Sequence, residues 1–174
     1  MAILRNALSS YERENANDSI FNFLYNKPEM KQAGRICLYV SLPEEVDTHA
    51  IITTLFKEKR DVIVPRVTSD SMTLHSILSY DDLIVGSYDI KEPGAKGNNV
   101  SLDDIDLFVV PGIAFDRHGY RLGRGKGYYD RLLSRSKAIK IGLAFSCQIV
   151  SRLPRDIYDI PMDVVITEKE TITI

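Results

Sequence analysis

This 174-residue chain is poor in the residues that build metal centres and covalent nucleophiles, with two cysteines and three histidines. Cys37 and Cys147 lack zinc-type spacing and sit in apolar runs, so buried free thiols are expected. His49, His75 and His118 are scattered, no pair has metal-ligand spacing, and none is assigned a role. No serine or cysteine occupies a nucleophile-elbow context, which leaves covalent catalysis without support. No apolar run approaches the roughly 20 residues needed to span a bilayer. The first residues, Met1-Ala2-Ile3-Leu4-Arg5, lack the charged-then-apolar plan of a secretory signal, so a cytoplasmic location without membrane contact is expected. Positive charge is not in excess either. The net charge is −2, and no aromatic-rich RNA motif is present, which argues against a nucleic-acid partner.

What remains is an ordinary globular composition, and the length fits one domain over residues 1–174, which would bury roughly two-thirds of its unfolded surface. Ser9 and Glu12 have capping-box spacing, and Ala16, Ile20, Phe23 and Leu24 then share one helical face, predicting a helix from Ser10 to Tyr25 closed by Lys27-Pro28. Arg35 to Val40 reads as a strand, Asp47 as the cap of a helix carrying Ile51, Ile52, Leu55 and Phe56, and Asp61 to Pro65 as a second strand. That order is a βαβ unit, with parallel strands and a right-handed crossover. Further strands are predicted at Met72–Ile77, Ile105–Val110, Ile139–Phe145 and Val164–Thr167, with a helix at Tyr128–Ser134. Gly86 to Asn99 reads as loop, with Glu92-Pro93-Gly94 as a turn. The expected architecture is α/β, a doubly wound, Rossmann-like and mainly parallel sheet with ligands beyond the carboxyl ends of its strands.

The most informative stretch is Arg121-Leu122-Gly123-Arg124-Gly125-Lys126-Gly127-Tyr128-Tyr129-Asp130. Glycines at every second position let backbone N–H groups converge on an anion, and the interleaved Arg124 and Lys126 bring full charge. From Asp116 to Arg135 there are five arginines and one lysine against two aspartates. A local excess of positive charge in a slightly acidic chain points to an anionic ligand rather than a flexible surface loop. The stretch is neither a P-loop, since no Gly-Lys-Ser or Gly-Lys-Thr follows, nor the dinucleotide fingerprint. It begins more than ten residues past Val110, so a segment must fold back between them. Asp130 either caps a helix or holds Mg²⁺ beside phosphate. Asp159 reads as a turn former. Glu44, Glu45 and Asp47 follow the first strand, as a solvated acidic loop or as ligand contacts.

Several separated motifs occur in order: Tyr39-Val40-Ser41-Leu42-Pro43-Glu44-Glu45-Val46-Asp47-Thr48, Asp89-Ile90-Lys91-Glu92-Pro93, Val110-Pro111-Gly112-Ile113-Ala114-Phe115-Asp116 running on through Arg121 to Arg131, and Ala144-Phe145 with Gln148. In these the chain resembles the 5-formyltetrahydrofolate cyclo-ligase family over about Arg5 to Glu168. The resemblance implies an ATP- and Mg²⁺-dependent ring closure of 5-formyltetrahydrofolate to 5,10-methenyltetrahydrofolate. It implies ATP binding by Arg121, Leu122, Gly123, Arg124, Gly125, Lys126, Gly127, Tyr128 and Tyr129, with Arg124 and Lys126 serving catalysis. Folate contacts fall on Val40, Glu45 and Arg124 to Tyr128, and magnesium positions on Asp130 and Asp159. Small-molecule substrates and a monomer are expected, against two alternatives: a non-catalytic folate- or nucleotide-binding relative and an RNA-binding module. Family members carry a lysine and an arginine one helical turn apart before an Arg-x-x-Leu-Ser segment. Here only Met1 to Leu4 precede Arg5-Asn6-Ala7-Leu8-Ser9, so weaker ATP binding is expected.

Overall fold

The computed structural model describes residues 5, 7–68, 71–86, 91–94 and 98–174. Met1 to Leu4, Asn6 and the Asp89-Ile90 pair of the motif above lie outside them. Helix α1 (Ser10–Tyr25) starts where its capping box sets it: Glu12 N–H donates to Ser9 Oγ at 3.2 Å, and Glu12 Oε2 accepts from Ser9 N–H at 2.9 Å. Ala16, Ile20 and Leu24, four residues apart, are buried, whereas Phe23 lies one position off that stripe and is exposed. Lys27-Pro28 does not merely stop the chain. Proline fits the first helical position, where its missing N–H costs nothing, and a short helix α2 (Pro28–Gln32) begins there.

Strand β1 (Arg35–Leu38), helix α3 (His49–Lys57) and strand β2 (Asp61–Val67) form the expected parallel unit, with Ile36 paired to Val62. Strand β3 (Met72–Ile77) returns antiparallel to β2. The stretch read as loop contributes short strands after β4 (Leu83–Val85): β5 (Lys91–Pro93), which pairs with β4, and β6 (Asn98–Asn99), which pairs with β3. Glu92 and Pro93 are therefore strand residues rather than a turn. Pairing overrides their weak strand propensity, and Pro93 sits at a strand end, where a missing donor is tolerated.

Strand β7 (Leu107–Val110) is followed by β8 (Ala114–Asp116) and β9 (Arg121–Leu122), an antiparallel hairpin that is the fold-back required before the glycine loop. Helix α4 (Tyr128–Leu133), strands β10 (Ile139–Leu143), β11 (Ile149–Val150) and β12 (Val164–Ile166), and the antiparallel edge strand β13 (Thr171–Thr173) complete the chain. The eight-stranded sheet runs β13-β12-β10-β7-β1-β2-β3-β6. Its inner five strands are parallel and, numbered among themselves, lie in the doubly wound order 2-1-3-4-5. The winding direction reverses between β1 and β7, and in such sheets ligands bind outside the carboxyl ends at that reversal.

Side-chain alternation along these strands feeds two cores. Ile36, Leu38, Val62, Val64, Leu107 and Val109 face the α1–α3 layer, while Cys37, Ile63, Phe108 and Val110 face Phe115, Leu132 and Leu133. The strands therefore read as continuous apolar runs, as buried parallel strands do. Cys37 is buried and Cys147 only partly so, and both are free thiols. No described helix is long and apolar enough to cross a membrane.

Phe115 fixes the hairpin to the sheet. Its ring lies so close to the backbone that a Cβ built on Gly142 would stand 2.5 Å from Phe115 Cε1, and one on Gly112 2.6 Å from Cε2. Two strand ends thus carry glycine because an aromatic ring occupies the space. Gly142→Ala is expected to destabilise the fold by roughly 1–3 kcal/mol, the usual cost of overpacking a core, and urea unfolding measures it. A midpoint equal to that of the parent would show that the ring moves aside freely.

Candidate active site

The loop between β1 and α3 is built rigidly. Thr48 Oγ1 donates to Tyr39 O at 2.7 Å and accepts from Ser41 N–H at 3.0 Å, Thr48 N–H donates to Ser41 Oγ at 3.1 Å, and Tyr39 Oη donates to Val46 O at 3.1 Å. Asp47 Oδ1 accepts from His49 N–H at 2.9 Å, so it serves the start of α3 from one residue before the formal cap, Thr48. Within this frame Glu45 turns inward. Its Oε2 accepts from Leu42 N–H at 3.0 Å, and its side chain is only 14% exposed. Val40, two residues past the end of β1, is buried.

Arg124 reaches this carboxylate from the glycine loop, 79 residues away. Its Nη2 lies 3.3 Å from Glu45 Oε1 and 3.9 Å from Glu44 Oε1. The loop itself is open. Gly125 has φ +82° with no atom within 4 Å of a built Cβ, and Gly127, at φ +62°, caps α4 in the left-handed region that only glycine enters cheaply. Arg124, Gly125 and Lys126 are exposed, as is Leu122 at the end of the hairpin. Arg131 holds the loop's far stem, donating to Lys126 O at 2.9 Å and lying 5.1 Å from the centre of the Tyr128 ring.

Arg121 has a different setting. Its side chain is 4% exposed and its Nη2 donates to Asp130 Oδ1 at 3.0 Å. The guanidinium also lies 5.3 Å from the centre of the Tyr129 ring, whose hydroxyl burial pushes to a far higher pKa than usual. Asp130 Oδ1 accepts in addition from Ile160 N–H at 3.3 Å. Asp159, the next residue back along the chain, closes a turn by accepting from Asp156 N–H at 2.7 Å. The two predicted metal positions therefore lie on adjoining segments, with Asp130 occupied by an arginine and Asp159 in the turn role read from its sequence context.

Three residues without an assigned role in the sequence complete the surroundings. Asp116, at the turn of the hairpin, is fully buried and accepts from His118, Tyr120 and Leu153 N–H groups at 2.9, 3.1 and 3.1 Å, with Arg155 at 3.4 Å. Burial raises its pKa, but these hydrogen bonds together outweigh it and hold the carboxyl below its ordinary value. Gln148 ties two strand ends together: Nε2 donates to Gly112 O and Ile113 O at 2.9 and 3.1 Å, and Oε1 accepts from Phe145 N–H at 2.9 Å. Arg5 lines a narrow crevice with Tyr39, Glu45, Gly112 and Gln148, at the reversal between β1 and β7. Asp116 and Gln148 stood in the quoted motifs, an acid ending a wholly apolar strand and a polar residue in an apolar run. Arg5 opened the Arg-x-x-Leu-Ser segment, but nothing in that spacing pointed to the crevice.

The sequence pattern of the 5-formyltetrahydrofolate cyclo-ligase family matches residues 1–168. The chain belongs to this family of enzymes. It is 32% identical to the 5-formyltetrahydrofolate cyclo-ligase of Haemophilus influenzae, covering 91% of this chain and 89% of that one. The fold is similar to that of Aquifex aeolicus 5,10-methenyltetrahydrofolate synthetase, with a TM-score of 0.89, 41% identity, and 99% and 88% of the two chains covered. A 5,10-methenyltetrahydrofolate synthetase from Mycoplasma pneumoniae matches with a TM-score of 0.77 and 26% identity over 96% of this chain and 93% of that one. Membership in the cyclo-ligase family fits a site at the strand reversal, where the acidic loop and the glycine loop meet.

Burial raises the pKa of Glu45, opposed by the Leu42 N–H bond and by Arg124 and Arg5. Between the ordinary carboxylate pKa and the raised one, the folded protein holds a proton that the unfolded chain has released. Stability therefore falls as pH rises through that window. Glu45→Gln is expected to remove this slope, read from urea unfolding at a series of pH values. A variant that kept the parent slope would place the titration elsewhere.

Proposed function

We propose that this protein closes the ring of 5-formyltetrahydrofolate to 5,10-methenyltetrahydrofolate at the expense of ATP, releasing ADP and phosphate. The observation that carries the reading is the meeting of Arg124 with Glu45 at the strand reversal. It joins an anion-binding loop to a carboxylate suited to the N–H donors of a reduced pterin. The formyl oxygen on N5 attacks the γ-phosphorus, ADP leaves, N10 attacks the activated formyl carbon and gives up its proton to solvent, and phosphate departs with the formyl oxygen as the five-membered ring forms.

The protein's share is positioning and charge neutralisation, as in other phosphoryl transfers. Glu45 and Val40 hold the pterin. Backbone N–H groups of Gly123, Gly125 and Gly127 cradle the triphosphate, and Arg124 and Lys126 balance charge that moves from the γ-phosphate toward the β-phosphate. Arg121 through Tyr129 form the nucleotide-facing wall, stiffened by the Arg121–Asp130 pair. The carboxylates of Asp130 and Asp159 suit Mg²⁺, a hard cation that commonly takes one or two carboxylates with phosphate oxygens and water. When bound, it would neutralise phosphate charge. Asp130 would hold it while still engaging Arg121, since one carboxylate offers about four acceptor sites.

The test is absorbance of the methenyl product with ATP and Mg²⁺ present together or withheld in turn. Product is expected only with both. Asp130→Asn is expected to lower metal-dependent turnover by at least about tenfold, in line with lost metal-site partners. It should also cost some stability, because Arg121 loses its buried partner. Equal rates without nucleotide and metal would refute the mechanism.

A further inference from the structure

One cation beside Glu45 has no task in this scheme. Arg5 has a side chain 10% exposed, it lines the crevice at the strand reversal, and its Nε has no hydrogen-bond partner among the described residues. Its Nη2 stands 3.6 Å from Glu44 Oε1, beyond an ordinary hydrogen bond. The residue is held from behind. Arg13 Nη2 donates to Arg5 O at 2.8 Å, and Arg13 Nη1 to Glu44 O at 3.1 Å. The Arg13 guanidinium is itself seated 5.1 Å from the centre of the Phe145 ring. A buried guanidinium nitrogen without an acceptor is unfavourable, and because the crevice as it stands admits no water-sized molecule, a ligand completes this donor only as the crevice opens.

The chemistry of that ligand follows from the neighbours. Glu45 lines the crevice with Arg5 and Glu44 stands 3.6 Å from the same guanidinium, and their charge lowers the local potential, which disfavours a phosphate and favours a neutral acceptor. The pyrimidine edge of a reduced pterin presents an exocyclic amine and a ring N–H, two donors, followed by a carbonyl oxygen, one acceptor. A carboxylate beside an arginine is complementary to that edge, and Glu45 alone would leave the carbonyl unmatched. Resting on the folate reading above, we infer that Arg5 is a specificity residue. Its guanidinium donates to the ring carbonyl oxygen of the pterin while Glu45 accepts from the adjacent N–H groups.

The experiment is equilibrium binding without ATP, comparing 5-formyltetrahydrofolate with its 4-amino analogue, in which the carbonyl acceptor becomes an amine donor and the adjacent ring N–H becomes an acceptor. The parent protein is expected to prefer the 4-oxo ligand by at least about tenfold, since the analogue removes the acceptor facing Arg5 and one donor facing Glu45. Arg5→Gln, checked for folding by circular dichroism, should lose 4-oxo affinity by roughly ten- to a hundredfold, the span of one charge-assisted hydrogen bond, and keep its 4-amino affinity within about threefold, so that the preference narrows by that factor and only the share due to Glu45 remains. Should Arg5→Gln not fold, Arg5→Lys decides. Its ammonium lacks the Nε donor, and 4-oxo affinity should fall with 4-amino affinity unchanged. Equal weakening of both ligands, or no change in either, would make Arg5 structural and overturn the inference. A parent protein that bound neither ligand would overturn the folate reading together with it, which is a distinguishable result.

Discussion

Glu45 is carried by a rigid turn into a nearly closed position at the carboxyl end of β1, and a carboxylate there keeps its charge only if cations come to it. The near cation is Arg124 at 3.3 Å, Arg5 acts in the same sense from further off, and the charge of Glu44 works against both. This demand for matching charge ties the glycine loop to the acidic loop across 79 residues. Nothing in either loop alone requires the other. The sheet brings them together because β1 and β7 are neighbours whose connections leave in opposite directions, opening a space at their ends. The proposed chemistry uses that arrangement: one anionic group for the pterin's donors, and several cationic and N–H groups for phosphate, a few ångströms apart.

Rigidity is concentrated where those groups are aimed. Thr48 and Tyr39 fasten the acidic loop to the strand it leaves. Gln148 fastens the end of β7 to the turn after β10, and Asp116 gathers three N–H groups and an arginine at the turn of the hairpin that leads into the glycine loop. Arg124 and Lys126 themselves stand exposed on the loop. Preorganised supports under exposed charge suit a site that must admit a polyanion and then hold it.

Much of the fold was legible because its signals are local. The capping box of α1, the β1–α3–β2 unit and the apolar runs of β7, β10 and β12 all follow from spacing within a few residues. Phe23 was misplaced because periodicity fixes a face only to within one position, and packing chose Ala16, Ile20 and Leu24. The strand at Lys91–Pro93 was read as a turn because its residues favour turns, and only pairing with Leu83–Val85 makes it a strand. In the site, the glycine loop and Glu45 were visible separately as types of residue. Their contact, the Arg121–Asp130 pair and the crevice position of Arg5 are tertiary facts with no trace in spacing.

The central claim is that Glu45 and Arg124 serve one bound complex, one through the pterin and the other through phosphate. A double-mutant cycle on kcat/KM for ring closure, with Glu45→Gln, Arg124→Gln and both together, tests it most directly. If the two residues act as a unit, removing either already spoils the productive geometry. The double variant should then lose less than the sum of the single losses, by more than about 1 kcal/mol, outside the roughly 0.5 kcal/mol scatter of independent sites. Losses that simply add would show that the two groups act independently, and would contradict the account.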